Sequence, residues 1–428
     1  MDTLSPELKE LIVDKFIDDP ASLAVLRTVS KAFYPRATFN LFRHVYASTI
    51  SQFDGLSTTF QESSSVSTSV QHLHITLPLG KEGQCGCRDN RFVQLGGTTS
   101  DLREIPQENH EATLRNNHRR AARDLPLNLL PHLETLRITH SPNGPLNSTT
   151  VTSLILDNMV ICQQTFREVL SHLPALTFFS GSRVNRTRAM QRLFRSMEEE
   201  DNYYNNVVEP VDLGPSLEVL DIVNSQISNF FVDRVSRFAL RSLRRLSIQY
   251  FELEHAPATR ELLVAARNTL RELVLSDIWV GIYDSWSADA LLDISAVPRI
   301  TMHATGNEIF GPRNLTWFVA CLASTESASA LTRLTIHVDP ESEFRKFFDN
   351  IRIWAPLDAL LTGPRFARFR GLNISLVLGG SDVKQRKSNI KPEEMQAFGE
   401  VTRLDILMRL PMLSARGKMM CSKQVIVE

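Results

Sequence analysis

The fold is decided by Leu217-Glu218-Val219-Leu220-Asp221-Ile222 and by the two hexapeptides that repeat its pattern, Leu243-Arg244-Arg245-Leu246-Ser247-Ile248 and Leu270-Arg271-Glu272-Leu273-Val274-Leu275. Each begins with an apolar residue, passes through two variable positions to Leu, and ends on Leu or Ile after one intervening, usually polar, position. Alternation in the second half places two apolar side chains on one face of a short strand. The pattern therefore predicts strands that are buried on one side only.

The same pattern occurs at ten places in the chain, with a further candidate copy at residues 42–47. The ten copies span residues 70–75, 133–138, 151–156, 173–178, 217–222, 243–248, 270–275, 331–336, 369–374 and 401–406. The clearest neighbours are 22, 26 or 27 residues apart, which is close to the period of leucine-rich repeats. Amphipathic helical stretches lie between copies, as at Leu262, Leu263 and Ala266.

Neither a half-buried strand nor an amphipathic helix can bury its apolar face alone, so neighbouring copies must stack on one another. We therefore expect an α/β fold in which a leucine-rich-repeat-like solenoid, a horseshoe or arc, occupies residues 47–410. Residues 80–124 and 198–215 interrupt the repeat and are expected to be insertions, and residues 411–428 to be a C-terminal tail. A doubly wound α/β domain is the alternative, but its strands would be almost continuously apolar.

Residues 1–46 predict a separate unit of three short helices. Ser5 is a good N-cap with Pro6 at the first helical position, and Asp19-Pro20 repeats that signal. Apolar residues then follow at helical spacing, as at Leu8, Leu11 and Ile12. Three apolar stripes in so few residues exceed what one small core can bury.

These residues also carry a resemblance to a known family. Leu4-Ser5-Pro6-Glu7-Leu8, Ile12, Phe16, Asp18-Asp19-Pro20, Leu23, Leu26, Val29-Ser30-Lys31, Phe33, Arg36 and Leu41-Phe42 stand in the order of an F-box, and the segment resembles the form found in fungal F-box proteins. The resemblance covers about a tenth of the chain, and the degenerate repeats that follow are also similar to those of that family. The segment departs from the family pattern at three places. Ser5 stands where a proline is common, Leu26-Arg27-Thr28 replaces the usual run of the Cys-Ser-Leu type, and Phe33 takes a place often held by tryptophan.

The resemblance implies a function. An F-box docks on the Skp adaptor of a cullin-RING ubiquitin ligase, and the rest of the chain selects the target protein for ubiquitination. By that likeness the adaptor-facing residues are Leu4, Pro6, Leu8, Ile12, Leu26, Val29, Ser30 and Phe33. The alternative is a repeat scaffold for protein-protein interaction that has no ligase link, in which the first helices only cap the end of the stack.

The target-binding residues are expected among the polar positions of the repeated pattern. They are Glu134, Arg137, Glu218, Asp221, Arg244, Arg245, Arg271, Glu272, Arg333, Thr335 and Arg403. Charges of both signs at these positions indicate a specific protein surface rather than a hydrophobic pocket.

Composition narrows the function classes. Basic and acidic residues number 47 and 48, and the net charge of −1 argues against a nucleic-acid binder. The chain shows no signal peptide and no apolar run long enough for a membrane span. Five cysteines form no evident disulfide framework, so we expect the cytoplasm or the nucleus.

The sequence indicates no enzyme and no cofactor, because no catalytic motif with supporting residues is found. His72 and His74 with Cys85 and Cys87 are the only metal-like grouping. The spacing of the two cysteines departs from that of zinc sites, so solvated histidines beside ordinary thiols are the favoured reading and no metal is predicted.

Overall fold

The computed structural model describes residues 4–76, 127–139, 148–161, 163–186, 215–231, 234–279, 286–304, 311–325, 328–338, 353–378 and 392–425. The chain divides into two compact units, Met1–Leu217 and Glu218–Glu428. Both units are α/β and each contains a parallel sheet. None of the helices in the described ranges has the length and the apolar character that a membrane span requires.

The helices of the first unit are α1 (Pro6–Asp14), α2 (Pro20–Val29), α3 (Tyr34–Phe42), α4 (Ile50–Glu62), α5 (Ser64–Ser67) and α6 (Gln163–Ser171). The first two begin at the expected caps. The Ser5 hydroxyl accepts the Leu8 N–H at 3.4 Å, and the Asp19 carboxylate accepts the Ser22 N–H at 3.2 Å. A proline follows each cap, where its missing N–H leaves no hydrogen bond unmade.

The strands of the first unit are β1 (His44–Ala47), β2 (His72–Thr76), β3 (Thr135–Thr139), β4 (Ser153–Asp157), β5 (Val160–Ile161), β6 (Phe178–Ser182) and β7 (Asn185–Arg186). The five longer strands pair in chain order, and every pairing is parallel. The two short strands β5 and β7 form a separate parallel pair.

The second unit repeats this plan. Its strands are β8 (Val219–Val223), β9 (Arg245–Gln249), β10 (Glu272–Ser276), β11 (Arg299–Ala304), β12 (Arg333–Val338), β13 (Gly371–Leu378) and β14 (Met419–Val425). Its helices are α7 (Arg234–Arg237), α8 (Ala256–Ala265), α9 (Gly311–Ala323), α10 (Trp354–Thr362), α11 (Pro392–Arg409) and α12 (Pro411–Ala415). Within this unit the strands from β8 to β14 pair in chain order, and every pairing is parallel.

The repeated pattern forms the core. In the copy that leads into β10, Leu270, Leu273 and Leu275 are all buried. Register pairing places Leu273 beside Leu246 on one side and beside Ile300 on the other, so the inward-facing residues form continuous rows across the second unit's sheet. Eight of the ten expected copies, and the candidate copy at residues 42–47, lead into strands with their alternating apolar residues buried. An α/β fold with stacked parallel strands is confirmed.

Two of the predicted strand positions are wrong. Residues 401–406 lie within α11, where Ile406 is buried while Val401 and Leu404 are exposed, because a helix turns position 406 away from the face that positions 401 and 404 share. Of residues 173–178, only the last belongs to a strand. The strand β6 begins at Phe178 and buries Phe179, so the pattern there starts three residues later, at Leu176.

Besides the short pair β5 and β7, two strands of the described ranges were not expected. Val297, Ile300 and Met302 supply the pattern that leads into β11, with a proline at the second position and methionine at the last. β14 lies in residues 411–428, which were expected to be a tail, and it pairs along seven residues with β13. The Asp358 carboxylate also accepts two backbone N–H groups at the start of α12, from Met412 at 2.9 Å and from Leu413 at 2.8 Å.

A left-handed backbone conformation follows five of the strands. The residues are Asn158, Arg183, Asn224, Tyr250 and Asp277, with φ between 43° and 58°. The N–H of Asn158, Asn224 and Tyr250 donates to the last residue of the adjacent strand at 2.8 to 3.1 Å. Two of the five are asparagine, which tolerates this conformation better than most residues. The turn after the strand is therefore a recurring part of the repeat.

Candidate functional site

The N-terminal helices have a core of their own. Val13, Leu23, Phe33 and Ala37 are buried together, with Leu26 and Leu41 packed partly against them. The residues come from all three helices and from the link before α3, so each helix contributes to the same small core. This core buries only part of the apolar side chains in residues 4–43.

An ion pair fixes α1 against α3. The Arg36 guanidinium donates two hydrogen bonds to the Asp14 carboxylate, at 2.7 and 2.8 Å, and the Asn40 side chain donates a third at 2.8 Å. The hydrogen bond from Arg36 holds the pKa of Asp14 below its ordinary value of 3.8. This arrangement sets the direction of α1 and so determines which of its side chains point away from the core.

Five large apolar side chains on α1 and in the turn that follows it are exposed. We call this set the α1 apolar surface, and it consists of Leu8, Leu11, Ile12, Phe16 and Ile17. Leu8, Leu11 and Ile12 lie three and four residues apart and therefore share one helix face. Val25 and Val29 are likewise exposed on one face of α2. Exposed apolar patches of this kind on a folded protein are typical of protein-binding surfaces.

The structure separates the expected adaptor-facing residues into three groups. Pro6, Leu8, Ile12 and Val29 are exposed, and Leu4 and Ser30 are half-buried. Leu26 is partly buried and packs against the module's core. Phe33 is only 3% exposed and belongs to that core, so its expected place on the surface is wrong. Conversely, Leu11, Phe16 and Val25 were not among the expected residues, although helical spacing from Leu8 and Val29 points to Leu11 and Val25.

The expected target-binding residues lie mainly on the outward face of the strands or just before them. Glu134, Arg137, Glu218, Arg244, Arg245, Arg271 and Arg333 are exposed, and Asp221, Glu272 and Thr335 are half-buried. Arg403 is an exception, because it lies on α11 and pairs with Glu400 on the same helix at 2.6 Å. Residues 72–76 illustrate the alternation within a strand: Leu73 and Ile75 turn inward, which leaves His72, His74 and Thr76 outward.

One cluster of charges in the first unit is compensated locally. Asp157 lies 3.6 Å from Arg137 and 2.9 Å from Arg183, nitrogen to oxygen. Burial would raise the pKa of Asp157, but the hydrogen bond and the charge of Arg183 outweigh it and lower the pKa below 3.8. Arg137 is therefore engaged within the chain as well as exposed.

Two histidine pairs stack across neighbouring strands. The rings of His44 and His72 lie 4.4 Å apart between centroids in the first unit, and those of His303 and His337 lie 4.5 Å apart in the second. Burial lowers the pKa of all four below 6.5. Each pair occupies matching register positions, which only knowledge of the strand pairing reveals.

The metal-like grouping that the sequence contains is only partly described. His72 stacks on His44, and His74 lies at 3.1 Å from the Thr139 hydroxyl, while Cys85 and Cys87 lie outside the described residues. Glu252, Glu254 and His255 bring potential ligand atoms within 4.8 Å of one another. Glu254 is exposed, and exposed acidic groups are common without an ion, so this group supports no metal site.

An apolar groove of about 900 Å³ lies in the second unit beside α9 and α10. Val319, Ala320, Ile353 and Leu360 are among its lining residues, and the polar side chains in the lining are those of Thr316 and Arg365. A nucleophile with a neighbouring base is not present in this lining. The groove therefore offers shape and apolar contact but no catalytic arrangement.

Comparison with known proteins gives no family assignment: no protein-family model matches the chain, and no curated protein matches it.

Proposed function

We propose that this chain is the substrate-recognition subunit of a Skp-cullin-F-box type E3 ubiquitin ligase. In this proposal the N-terminal helices dock on the Skp adaptor, and the strand-bearing region that follows binds a target protein. The observation that carries the proposal is the α1 apolar surface on a module that already has its own core. The resemblance of residues 4–42 to an F-box supplies the identity of the partner.

The energetics support docking through α1. Fully burying a Leu or Ile side chain is worth about 1.5–3 kcal/mol. Leu8 is 49% exposed, Leu11 60% and Ile12 37%, so covering what remains exposed on these three would contribute roughly 2–4 kcal/mol. Val29, 61% exposed, adds further apolar area on α2. Such a contribution is a substantial part of the free energy of a micromolar complex, about 8 kcal/mol.

The chain contributes no catalytic group in this proposal. The ligase supplies the ubiquitin conjugate, and this chain raises the local concentration of one target beside it. The two roles use different surfaces, because the α1 apolar surface lies on helices whereas the outward face of the sheets is polar and charged. Adaptor docking and target binding can then be altered separately.

A repeat scaffold with no ligase link remains the second candidate, and a specific observation favours it. α3 packs against β1 and α5 as well as against α1 and α2, so the module covers the first strand of the sheet as a solenoid cap does. The cap reading gives no role to the apolar residues that α1 leaves exposed. That difference makes α1 the place to test.

The test is a pull-down of the full chain with the Skp adaptor, comparing the unaltered protein with Leu8→Asp/Ile12→Asp. Both side chains are at least a third exposed. Asp at position 8 lies in the first turn of α1, where an acidic residue is favourable, and Asp at position 12, in the last turn, costs no more than about 1 kcal/mol at an exposed site, so we expect the double variant to fold. Adaptor binding should be lost, because docking would desolvate two carboxylates in an apolar contact.

The matched control is Val264→Asp/Val401→Asp. These valines are 55% and 59% exposed on helices of the second unit, and the double change alters the net charge by the same amount. The control should bind the adaptor as the unaltered chain does. No binding by the unaltered chain, or equal binding by both double variants, would rule out the receptor proposal and leave the scaffold.

The same variant identifies targets. Deleting residues 1–46 would remove α3 and part of β1, so it would uncover the first strand of the sheet. Leu8→Asp/Ile12→Asp leaves these elements in place and is therefore the better variant for retaining target proteins. Under proteasome inhibition, proteins that co-purify with the variant and that accumulate there relative to the unaltered chain are the candidate targets.

A further inference from the structure

A row of arginines lies at the amino-terminal end of the strands of the second unit. The row, here called the arginine edge, consists of Arg244, Arg245, Arg271, Arg299, Arg333 and Arg370, and all six side chains are exposed. They occupy the second and third positions of successive copies of the repeated pattern. The chain as a whole carries a net charge of −1, so this concentration of positive charge is local.

The pairing of the strands brings these arginines together. Arg245 is in register with Glu272, Glu272 with Arg299, and Arg299 with Arg333. Neighbouring strands lie about 4.8 Å apart, so Arg299 and Arg333 place two like charges side by side on one face. Arg271 and Arg244 are also neighbours, because the Arg271 N–H donates to the Arg244 carbonyl at 2.8 Å.

The arginine edge is not compensated by ion pairs within the described part of the chain. No carboxylate among the described residues lies within 4.0 Å of any of the six guanidinium groups, in contrast with Arg137 and Arg183 of the first unit, which both contact Asp157. At the second and third positions of the copies in the second unit, the acidic residues are Glu218 and Glu272, compared with six arginines. The charge of Asp221 acts on Arg245, but Arg299 and Arg333 are adjacent like charges that repel each other, and an acidic partner would relieve that repulsion.

We propose that the arginine edge binds an acidic polypeptide segment, rich in Asp and Glu, of the target protein. The row crosses five strands, a distance of about 19 Å, which an extended segment of about six residues spans. Arginine is suited to this partner, because its planar guanidinium donates two parallel hydrogen bonds to a carboxylate.

Glu272 favours a polypeptide over a nucleic acid. It lies between Arg245 and Arg299 in the third-position row, and it would repel a phosphodiester backbone that carries a charge at every nucleotide. A polypeptide can place a neutral or basic residue opposite Glu272 and acidic residues on either side. The arginine edge therefore selects for a charge pattern and not simply for negative charge.

The assignment of the acidic segment to a target protein rests on the proposed function, but the binding itself does not. The test uses the full chain without the adaptor. A fluorescent eight-residue peptide of glutamates with one neutral glutamine at its centre, called the glutamate peptide, is titrated at about 50 and 150 mM salt. A peptide of glutamine only, of the same length, and a single-stranded oligonucleotide of equal charge are the comparisons. The glutamate peptide should bind, should weaken as salt rises, and should bind more tightly than both comparisons.

The decisive variant is Arg299→Glu/Arg333→Glu, and its control is Lys15→Glu/Lys31→Glu. Both pairs are exposed, and both changes alter the net charge equally. The arginine variant should bind the glutamate peptide at least ~10-fold more weakly, while the lysine variant stays within about twofold. If the arginine variant fails to fold, as judged by its melting temperature, Arg299→Gln/Arg333→Gln replaces it and should lose about threefold.

Equal weakening by the two double variants would show attraction to net charge alone and overturn the proposal. Tighter binding of the oligonucleotide, or absence of glutamate-peptide binding, would overturn it as well. Neither result bears on adaptor docking, which Leu8→Asp/Ile12→Asp tests independently, so failure of one proposal can be told from failure of the other.

Discussion

Replacing Phe33 by alanine separates a structural role from a binding role. Phe33 is 3% exposed and contacts the buried cluster of Val13, Leu23 and Ala37. Truncating a buried phenylalanine costs about 3–5 kcal/mol, because the lost apolar transfer is joined by the cavity that remains. The module's core contains few other large residues to collapse into that space. We therefore expect Phe33→Ala to unfold α1 to α3 locally while both sheets persist.

Hydrogen exchange followed by mass spectrometry measures this effect where it occurs, since a melt of a chain with two units is not a single two-state transition. A loss of about 3–5 kcal/mol corresponds to exchange that is roughly 10²–10⁴-fold faster in residues 6–42. Val29→Ala is the control, because Val29 is 61% exposed and its truncation should leave exchange nearly unchanged. Unchanged exchange in Phe33→Ala together with lost adaptor binding would refute the core assignment and return Phe33 to the docking surface.

Three further variants test the second unit and the ion pair of the module. Leu273→Ala, at a fully buried position of β10, should cost about 2–5 kcal/mol in urea unfolding. Burial lowers the pKa of His303 and His337 below 6.5, so just below that pH the unfolded chain binds more protons than the folded chain. Stability should therefore fall as the pH drops through 6.5 towards the lowered pKa values of the folded state. In His303→Gln/His337→Gln the melting temperature should depend less on pH over this range. Asp14→Asn, which removes the charge that Arg36 contacts, should destabilise the module by about 1 kcal/mol, measured by hydrogen exchange at neutral pH, and the difference from the unaltered chain should vanish as pH falls through the lowered pKa of Asp14.

The strands could be predicted because a half-buried strand leaves a direct mark on the sequence. The residues at Leu270, Leu273 and Leu275 can satisfy burial only as a strand whose alternate side chains face a core, and the structure buries all three. Residues 401–406 carry the same spacing within a helix, where it buries Ile406 and leaves Val401 and Leu404 on the exposed side. Spacing alone does not decide between these cases without the length of the surrounding segment, here the 18 residues of α11.

The candidate surfaces were predictable to different degrees. Exposed apolar residues on α1 follow from having more apolar stripes than one core can hold, but which stripe stays outside depends on packing. Phe33 shows this, because it precedes α3 and turns into the core rather than outward. The arginine edge was only partly visible. Arg299 belongs to a copy with an atypical proline and methionine, whereas the other five arginines fall in recognised copies: Arg244, Arg245, Arg271, Arg333 and Arg370. The local excess of positive charge appears only when register aligns these residues.

The pairing order of the second unit has a consequence for synthesis of the chain. Every strand there after β8 hydrogen-bonds to the one translated just before it, and the copies leading into β8, β9 and β10 start 26 and 27 residues apart. At about 5–20 residues per second a ribosome releases one such copy every few seconds, far longer than a strand needs to add to an existing edge. The sheet can therefore grow from its amino-terminal strand while translation continues, and no strand has to wait for a distant part of the chain.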